Sequence, residues 1–155
     1  ELLNTVIQFE KNSVPEIKFK RIYDTSLPEI NSDRDKLHQV FLNILRNAAE
    51  ASEKDSTVTV STRFCGKWEL SGTNLDPNLS YTLVTVEDEG EGIAIENREK
   101  LFKPFFTTKK EGNGLGLSIS FRLVKSLGGM LTYTPRDSEG SMFRVFLPEH
   151  IPVKA

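Results

Sequence analysis

Two glycine-rich clusters constrain this chain of 155 residues more than any other feature. The first, Asp88-Glu-Gly-Glu-Gly-Ile93, directly follows a stretch with the pattern of a strand. The second, Gly112-Asn-Gly-Leu-Gly-Leu117, leads into the apolar pattern of a helix. Glycine lets a backbone approach a ligand closely, so both clusters are candidate binding segments. The alternatives are an ordinary glycine-rich turn for the first cluster and a flexible hinge for the second.

Hydrophobic periodicity predicts an α+β fold. Apolar residues recur at three- and four-residue spacing in Asp35–Ser52 and Leu117–Leu127, which predicts two amphipathic helices, and residues 2–12 suit a shorter one. Alternating patterns predict strands at residues 17–23, 58–64, 81–87, 130–134 and 142–147, the last two as a hairpin. Because strands and helices do not alternate regularly, we expect a two-layer α/β sandwich with a mixed sheet and its helices on one face.

Length and composition fit a single domain covering residues 1–155. A net charge of −2 predicts no nucleic-acid partner. No apolar run approaches the roughly 18–20 residues that span a bilayer, so we expect no membrane contact. The single cysteine, Cys65, excludes an internal disulfide and favours a reducing cytoplasm. Because the sequence begins at Glu1, we expect a piece of a longer protein whose membrane attachment is left open.

Two asparagines, Asn43 and Asn47, lie one turn apart at the rim of the apolar stripe of the longer predicted helix. Asparagine is a middling helix former, so two of them inside a good helix call for a reason. Mg²⁺ bridging phosphates needs only one or two protein oxygens, and an amide oxygen can supply one. The alternative is a pair of surface amides.

The two glycine clusters suit the two ends of a nucleotide. Asp88 could accept a hydrogen bond from the adenine amino group and so distinguish adenine from guanine, while Gly90 and Gly92 let the backbone pass beneath the ring. The second cluster precedes a helix, where free N–H groups and the positive end of the helix dipole attract an anion. Its spacing fits neither the dinucleotide fingerprint nor a P-loop.

Between the clusters lies Leu101-Phe-Lys-Pro-Phe-Phe-Thr-Thr-Lys109. We interpret Phe102 and Phe105 as a plug in the hydrophobic core. Thr107, Thr108 and Lys109 would then lie beside the phosphates, with Lys109 as a cation for the terminal one. The alternative for Lys109 is a solvated surface lysine. We interpret His38 and His150 as surface histidines rather than phosphoacceptors.

Taken together, these segments resemble the ATP-binding catalytic domain of sensor histidine kinases, in the superfamily of gyrase, Hsp90, MutL and those kinases. Asp33–Ala51, with Asn43 and Asn47, looks like the N box of that family. The first glycine box is matched by Val86–Ile93, the F box by Leu101–Lys109, the second glycine box by Gly112–Leu117, and the C-terminal hairpin by Gly128-Gly129 and Gly140–Pro148. Arg46 and the Pro-Phe-Phe-Thr-Thr-Lys run look most like kinases of the nitrogen-regulation (NtrB) type.

The resemblance implies a Bergerat-type fold that holds ATP and Mg²⁺, with Asn47 on the metal and Asp88 on adenine. It implies catalytic roles for Asn43, Thr108 and Lys109, and makes residues 94–115 the ATP lid. The implied ATP-binding residues are Asn43, Asn47, Asp88, Gly90, Gly92, Ile93, Thr108, Lys109, Gly112, Gly114, Leu115, Gly116 and Leu117. Two positions depart from the family pattern, since Glu91 replaces the usual proline and Asn113 the usual threonine or serine.

The function implied is an enzyme of two-component signalling, which binds Mg-ATP and presents the γ-phosphate to a histidine of a partner dimerisation domain. We expect a response regulator receiver domain as a further partner, a monomeric state, and residues 1–14 as a remnant of the linker to that absent histidine-bearing domain. One alternative is an ATPase of the gyrase, Hsp90 or MutL kind, which has a glutamate where this chain has Asn43. Another is a degenerate, nucleotide-regulated interaction module without chemistry.

Overall fold

The computed structural model describes residues 1–108 and 114–152. Within these ranges five strands form one mixed sheet in the order β1-β2-β3-β5-β4. The elements in chain order are α1 Leu2–Ser13, β1 Lys18–Tyr23, α2 Arg34–Ala51, β2 Thr57–Phe64, a 3-10 helix Lys67–Leu70, β3 Tyr81–Asp88, α3 Ile95–Arg98, α4 Gly116–Ser126, β4 Met130–Pro135 and β5 Ser141–Pro148. The strand pair β1 and β2 is parallel, and the other pairs are antiparallel.

Helix α2 is the central helix of the helical layer and contacts both α1 and α4. Its N-cap Asp33 accepts a hydrogen bond from the Lys36 N–H at 3.1 Å, which satisfies one of the free donors of the first turn. The apolar stripe is buried against α1, α4 and the sheet, where each large side chain contributes about 1.5–3 kcal/mol. The buried residues of this stripe are Leu37, Val40, Phe41, Ile44, Leu45, Ala48 and Ala49. The predicted two-layer arrangement, with a mixed sheet and helices on one face, is confirmed.

Strand β3 is buried on both faces of the sheet. Val84 and Val86 face the helices, whereas Tyr81 and Leu83 belong to a second apolar cluster. The segment between β2 and β3 contributes Cys65 and Leu70 to that cluster. Burial raises the pKa of the Cys65 thiol to about 11, so it stays protonated near neutral pH. The interpretation of Cys65 as an unreactive apolar residue fits this environment.

The aromatic plug predicted between the two glycine clusters is only half correct. Phe102 stacks on Phe121 with ring centroids 5.0 Å apart and joins the core. Phe105, in contrast, is 75% exposed, so its predicted place in the core is wrong. Its backbone adopts a φ of 68° and its N–H donates to the Gly114 carbonyl at 3.0 Å, so the contact that Phe105 makes with the second glycine cluster is through its backbone.

No helix among residues 1–108 and 114–152 is long and apolar enough to cross a membrane.

Candidate nucleotide-binding site

Asp88 ends the central strand β3 and is 1% exposed. Its Oδ1 accepts hydrogen bonds from the Gly90 N–H at 2.9 Å and the Ser141 N–H at 3.3 Å. The first bond closes the turn after β3, and the second comes from β5, where Ser141 is the register partner of Asp88. A carboxylate can accept about four hydrogen bonds, so these two orient the side chain without exhausting it.

The glycine at position 90 is required by a close approach to α2. A Cβ added there would lie 2.3 Å from the carbonyl oxygen of Ala51, the last residue of that helix. The turn that carries Asp88 is therefore packed directly against the C-terminal end of α2. Gly92 follows with a φ of 76°, which places the exit of the cluster beside the β4–β5 hairpin.

Ile93 is held at both of its backbone polar groups. Its N–H donates to the Tyr133 hydroxyl at 3.2 Å, and its carbonyl accepts from Arg98 Nε at 3.1 Å. The Arg98 guanidinium lies 5.7 Å from the centroid of the Tyr133 ring. The end of the first glycine cluster is thus fixed to β4 and to the last residue of α3.

The β4–β5 hairpin also supports the backbone of β3. Arg136 Nη1 donates to the Asp88 carbonyl and to the Glu139 carbonyl, both at 3.2 Å. Arg136 Nε lies 3.7 Å from Glu87 Oε1, an ion pair of two partly buried side chains. A Cβ at Gly140 would lie 2.0 Å from the Asp88 carbonyl oxygen, so the hairpin is in close contact with that strand end.

The amide of Asn43 joins α2 to α4. Asn43 Nδ2 donates to the Gly116 carbonyl at 3.2 Å and to Ser120 Oγ at 3.1 Å, while its Oδ1 accepts from Gln39 at 3.0 Å. Asn43 therefore fixes the start of the helix that follows the second glycine cluster. Asn47 lies one turn further along α2 and is half-buried.

The described part of the second glycine cluster forms the N-terminus of α4. Gly114 has a φ of 71°, and a Cβ there would lie 2.3 Å from the Phe105 carbonyl carbon, so no larger residue fits. Leu115 is the N-cap, and the helix begins at Gly116 and Leu117 without a side-chain cap among the described residues. The first N–H groups of such a helix form a suitable anion site.

These contacts place both glycine clusters against α2, at two different points along its length. Asn43, Asn47 and Ala51 follow one another at four-residue spacing, with Asn43 on Gly116 and Ala51 on Gly90. At 1.5 Å per residue, the two clusters contact the helix about 12 Å apart along its axis. Asn47 lies midway between them.

Three further residues belong to the predicted site. Thr108 is exposed at the end of the described segment. Lys109 and Gly112 lie outside the described residues, as does Asn113. Among the described residues no group of three His, Cys, Asp or Glu side chains is arranged to hold a metal ion. The amide oxygen of Asn47 is of the kind that can supply one ligand to Mg²⁺, an ion that keeps most of its ligands as phosphate and water oxygens.

The sequence interpretation missed four residues that build the site, Tyr133, Arg136, Ser141 and Ser120. The first three lie on the β4–β5 hairpin or in its turn and reach the first glycine cluster only because β5 pairs with β3. Ser120, which is fully buried, accepts from Asn43 across the two helices. The sequence pattern around residues 137–140 predicts the β4–β5 hairpin, but it does not predict that β5 pairs with β3.

The chain is similar to known proteins in both sequence and fold. Residues 32–151 match the family described as histidine kinase-, DNA gyrase B- and HSP90-like ATPase. The chain is similar to sporulation kinase C of Bacillus subtilis (strain 168), with 37% identity over 137 residues that cover 88% of this chain and 28% of that protein. It is also 37% identical over 134 residues to the sensory histidine kinase/phosphatase NtrB of Azospirillum brasilense, covering 85% of this chain and 33% of that protein. The chain spans about a third of the length of these relatives.

Solved structures are similar over nearly the whole chain. The nucleotide-free catalytic domain of histidine kinase ThkA aligns with a TM-score of 0.79 and 27% identity, covering 96% of this chain and 90% of that one. ThkA in complex with the response regulator protein TrrA aligns with a TM-score of 0.74 and 26% identity, covering 96% of this chain and 39% of that one.

Proposed function

Because the chain belongs to the histidine kinase-, DNA gyrase B- and HSP90-like ATPase family, as a catalytic domain of the sensor histidine kinases, we propose that it binds Mg-ATP and presents the γ-phosphate to a histidine of a partner domain. The resemblance drawn from the sequence, including its NtrB character, is confirmed by the relatives. ATP binding is implied by the family. The magnesium ion, the individual site residues and the direction of transfer are our proposal.

The observation that carries the proposal is that α2 contacts both glycine clusters, at Asn43 and at Ala51. An extended nucleotide has a base at one end and phosphates at the other, and the two ends need different environments. The Asp88 turn offers a fixed, buried carboxylate that suits an exocyclic amino group. The α4 N-terminus, about 12 Å along the helix, offers backbone N–H groups that suit phosphate oxygens.

The remaining roles follow from position. Asn47, between the two ends, would hold Mg²⁺, which bridges phosphate oxygens and neutralises their charge when bound. Gly90, Gly92 and Ile93 would line the base pocket, and Gly112, Gly114, Leu115, Gly116 and Leu117 would surround the phosphates. Thr108 and Lys109 would act from the lid side, residues 94–115. Asn43 would hold α4 in place for them, since its amide already bonds Gly116 and Ser120.

The partners proposed are a histidine-bearing dimerisation domain of the parent kinase and a response regulator receiver domain. ThkA, which is similar over 96% of this chain, has been solved with a response regulator. The curated relatives are about three times as long as this chain, which leaves ample length in such proteins for a domain that carries the histidine.

The rival function is ATP hydrolysis of the gyrase, Hsp90 or MutL kind. That chemistry needs a general base to activate water, and the family places it four residues before the magnesium asparagine. This chain has Asn43 there, and an amide is a poor base. Its hydrogen bonds to α4 account for the residue as a structural link. The site therefore favours ATP held for transfer over ATP hydrolysed.

Replacing Asp88 by asparagine tests the base contact. An asparagine Oδ1 can still accept from Gly90 and Ser141, so the turn should fold, but one carboxylate oxygen becomes an N–H₂ donor that repels the adenine amino group. We expect the dissociation constant of ADP with Mg²⁺, measured by calorimetry, to rise at least about tenfold.

The matched control is Asp33→Asn, because asparagine caps a helix as well as aspartate does. This variant should bind ADP like the parent chain. If Asp88→Asn also binds like the parent chain, the assignment of Asp88 to the base is wrong.

A further inference from the structure

We propose that Tyr133 and Arg98 are positioning residues for the base end of the nucleotide, acting through the backbone of Ile93. Neither residue lies in either glycine cluster, and no motif of the sequence singled them out. The inference rests on the proposed function, because it takes the Asp88 turn as the base pocket. We call Ile93, Arg98 and Tyr133 together the exit clamp.

The clamp closes a triangle of contacts. The Ile93 N–H donates to the Tyr133 hydroxyl at 3.2 Å, and Arg98 Nε donates to the Ile93 carbonyl at 3.1 Å. The third side is the Arg98 guanidinium, which lies 5.7 Å from the centroid of the Tyr133 ring. Both the N–H and the carbonyl of Ile93 are thus bonded to side chains rather than to a strand or a helix. These two bonds fix the direction of the backbone at Ile93.

The clamp is anchored in the hydrophobic core. The Tyr133 ring packs edge-on against Phe143, with centroids 5.5 Å apart, and Phe143 is fully buried on β5. Phe143 in turn contacts Phe102 at 6.4 Å, edge to face. Such aromatic contacts restrict the ring to one orientation, so the hydroxyl of Tyr133 is presented at a fixed place. Ile93 is therefore held against the core even though it follows a glycine-rich turn.

The position of the clamp explains what it would do. It lies directly after Gly92, and a Cβ at Gly92 would be 3.9 Å from the Tyr133 hydroxyl oxygen. On the other side, Arg98 closes the short helix α3 back onto Ile93. The clamp thus separates the turn that carries Asp88 from the segment that leads to Phe105. Without it, a glycine-rich turn would have to be ordered by the nucleotide itself, and that ordering weakens binding.

Replacing Tyr133 by phenylalanine removes only the hydroxyl and keeps the ring on Phe143 and under Arg98. We expect the dissociation constant of ADP with Mg²⁺ to rise about threefold to tenfold, the effect of one lost backbone hydrogen bond. We also expect the Ile93 amide to exchange its hydrogen faster in the nucleotide-free chain, as measured by nuclear magnetic resonance. Arg98→Met should also raise the dissociation constant of ADP. In the double variant the dissociation constant should rise by less than the product of the two single fold-changes, because both residues act on Ile93.

The matched control is Tyr23→Phe, which removes a tyrosine hydroxyl that bonds the Asn4 side chain at 3.1 Å on an exposed surface. It should leave both ADP affinity and Ile93 exchange unchanged. Wild-type affinity in Tyr133→Phe overturns the positioning role while leaving the proposed function standing. A loss of affinity with unchanged Ile93 exchange also overturns it, because the effect would not pass through Ile93. If the parent chain binds no adenine nucleotide, the proposed function fails and the positioning role fails with it.

Discussion

At the scale of single residues, the packing requires glycine at some positions of the two clusters and not at others. Gly90 is needed because α2 leaves no room for a side chain, since an added Cβ would lie 2.3 Å from the Ala51 carbonyl oxygen. At Gly116 the nearest atom to an added Cβ is Asn43 Cγ at 3.8 Å, an ordinary van der Waals contact. The sequence pattern treats both as equivalent members of a glycine-rich motif, but only the first is sterically obligatory.

Gly90→Ala and Gly116→Ala therefore form a matched pair. The first variant forces the Asp88 turn away from α2, and we expect it to lower the free energy of unfolding by about 1–3 kcal/mol. The second adds a methyl group at the start of a helix, where alanine is favoured over glycine, so its effect should be neutral or stabilising by up to about 1 kcal/mol. Urea unfolding of both variants measures the difference. Equal destabilisation would contradict the packing of Gly90 against Ala51.

At the scale of elements, α2 organises the proposed site because it contacts both glycine clusters, one through the Asn43 side chain and one through the Ala51 carbonyl. The link to α4 is polar, through Asn43, Gly116 and Ser120. Ser120 Oγ also donates to the Gly116 carbonyl at 2.9 Å, so the three groups form a small buried network. Such networks fix one relative position of two helices more strictly than apolar contacts do.

Asn43→Ala tests this link. The variant removes the donor that Ser120 and Gly116 share, and we expect a loss of about 1–2 kcal/mol in the free energy of unfolding. Asn12→Ala is the control, because it removes an amide that accepts from Gln8 on the exposed surface of α1. Alanine is the better helix former than asparagine, so propensity alone predicts no loss at position 43 and a loss there reports its partly buried contacts. A loss no larger than that of Asn12→Ala would show that the amide does not hold α4.

The five strands and the helices α1, α2 and α4 were predictable because each carries a local signal. The apolar spacing of α2 follows from burial of one face of the helix, and the pattern of β3 follows from burial on both faces of the sheet. The observed bounds of these elements differ from the predicted bounds by a residue or two. Contacts between distant segments have no such signal. Tyr133 and Arg136 reach the Asp88 turn through the pairing of β3 with β5, and Phe105 contacts Gly114 through its backbone. Local hydrophobicity alone could not distinguish Phe105 from Phe102.

At the scale of the whole molecule, the proposed nucleotide site is attached to the hydrophobic core at both of its ends. Its proposed base and phosphate ends are held through α2 on one side and the β4–β5 hairpin on the other. No residue of the proposed site that the structure describes is a free carboxylate suited to activate water, because Asp88 is committed to the turn and position 43 is an amide. The arrangement suits positioning and charge stabilisation, which is how phosphoryl transfer is catalysed.

We therefore expect the chain to bind labelled Mg-ATP and to release phosphate at a rate close to that of a control without protein. Addition of a histidine-bearing dimerisation domain from an NtrB-type relative should give acid-labile phosphohistidine on the added domain, because that domain carries the proposed acceptor. Asp88→Asn should reduce this labelling at ATP concentrations below its raised dissociation constant, whereas replacement of the acceptor histidine by alanine should abolish it while ATP binding persists. Rapid phosphate release by the chain alone, lost in Asp88→Asn, would instead favour the gyrase, Hsp90 or MutL kind of ATPase. Binding without labelling of any dimerisation domain would favour a nucleotide-regulated interaction module, since the chain would then hold ATP without transferring its phosphate.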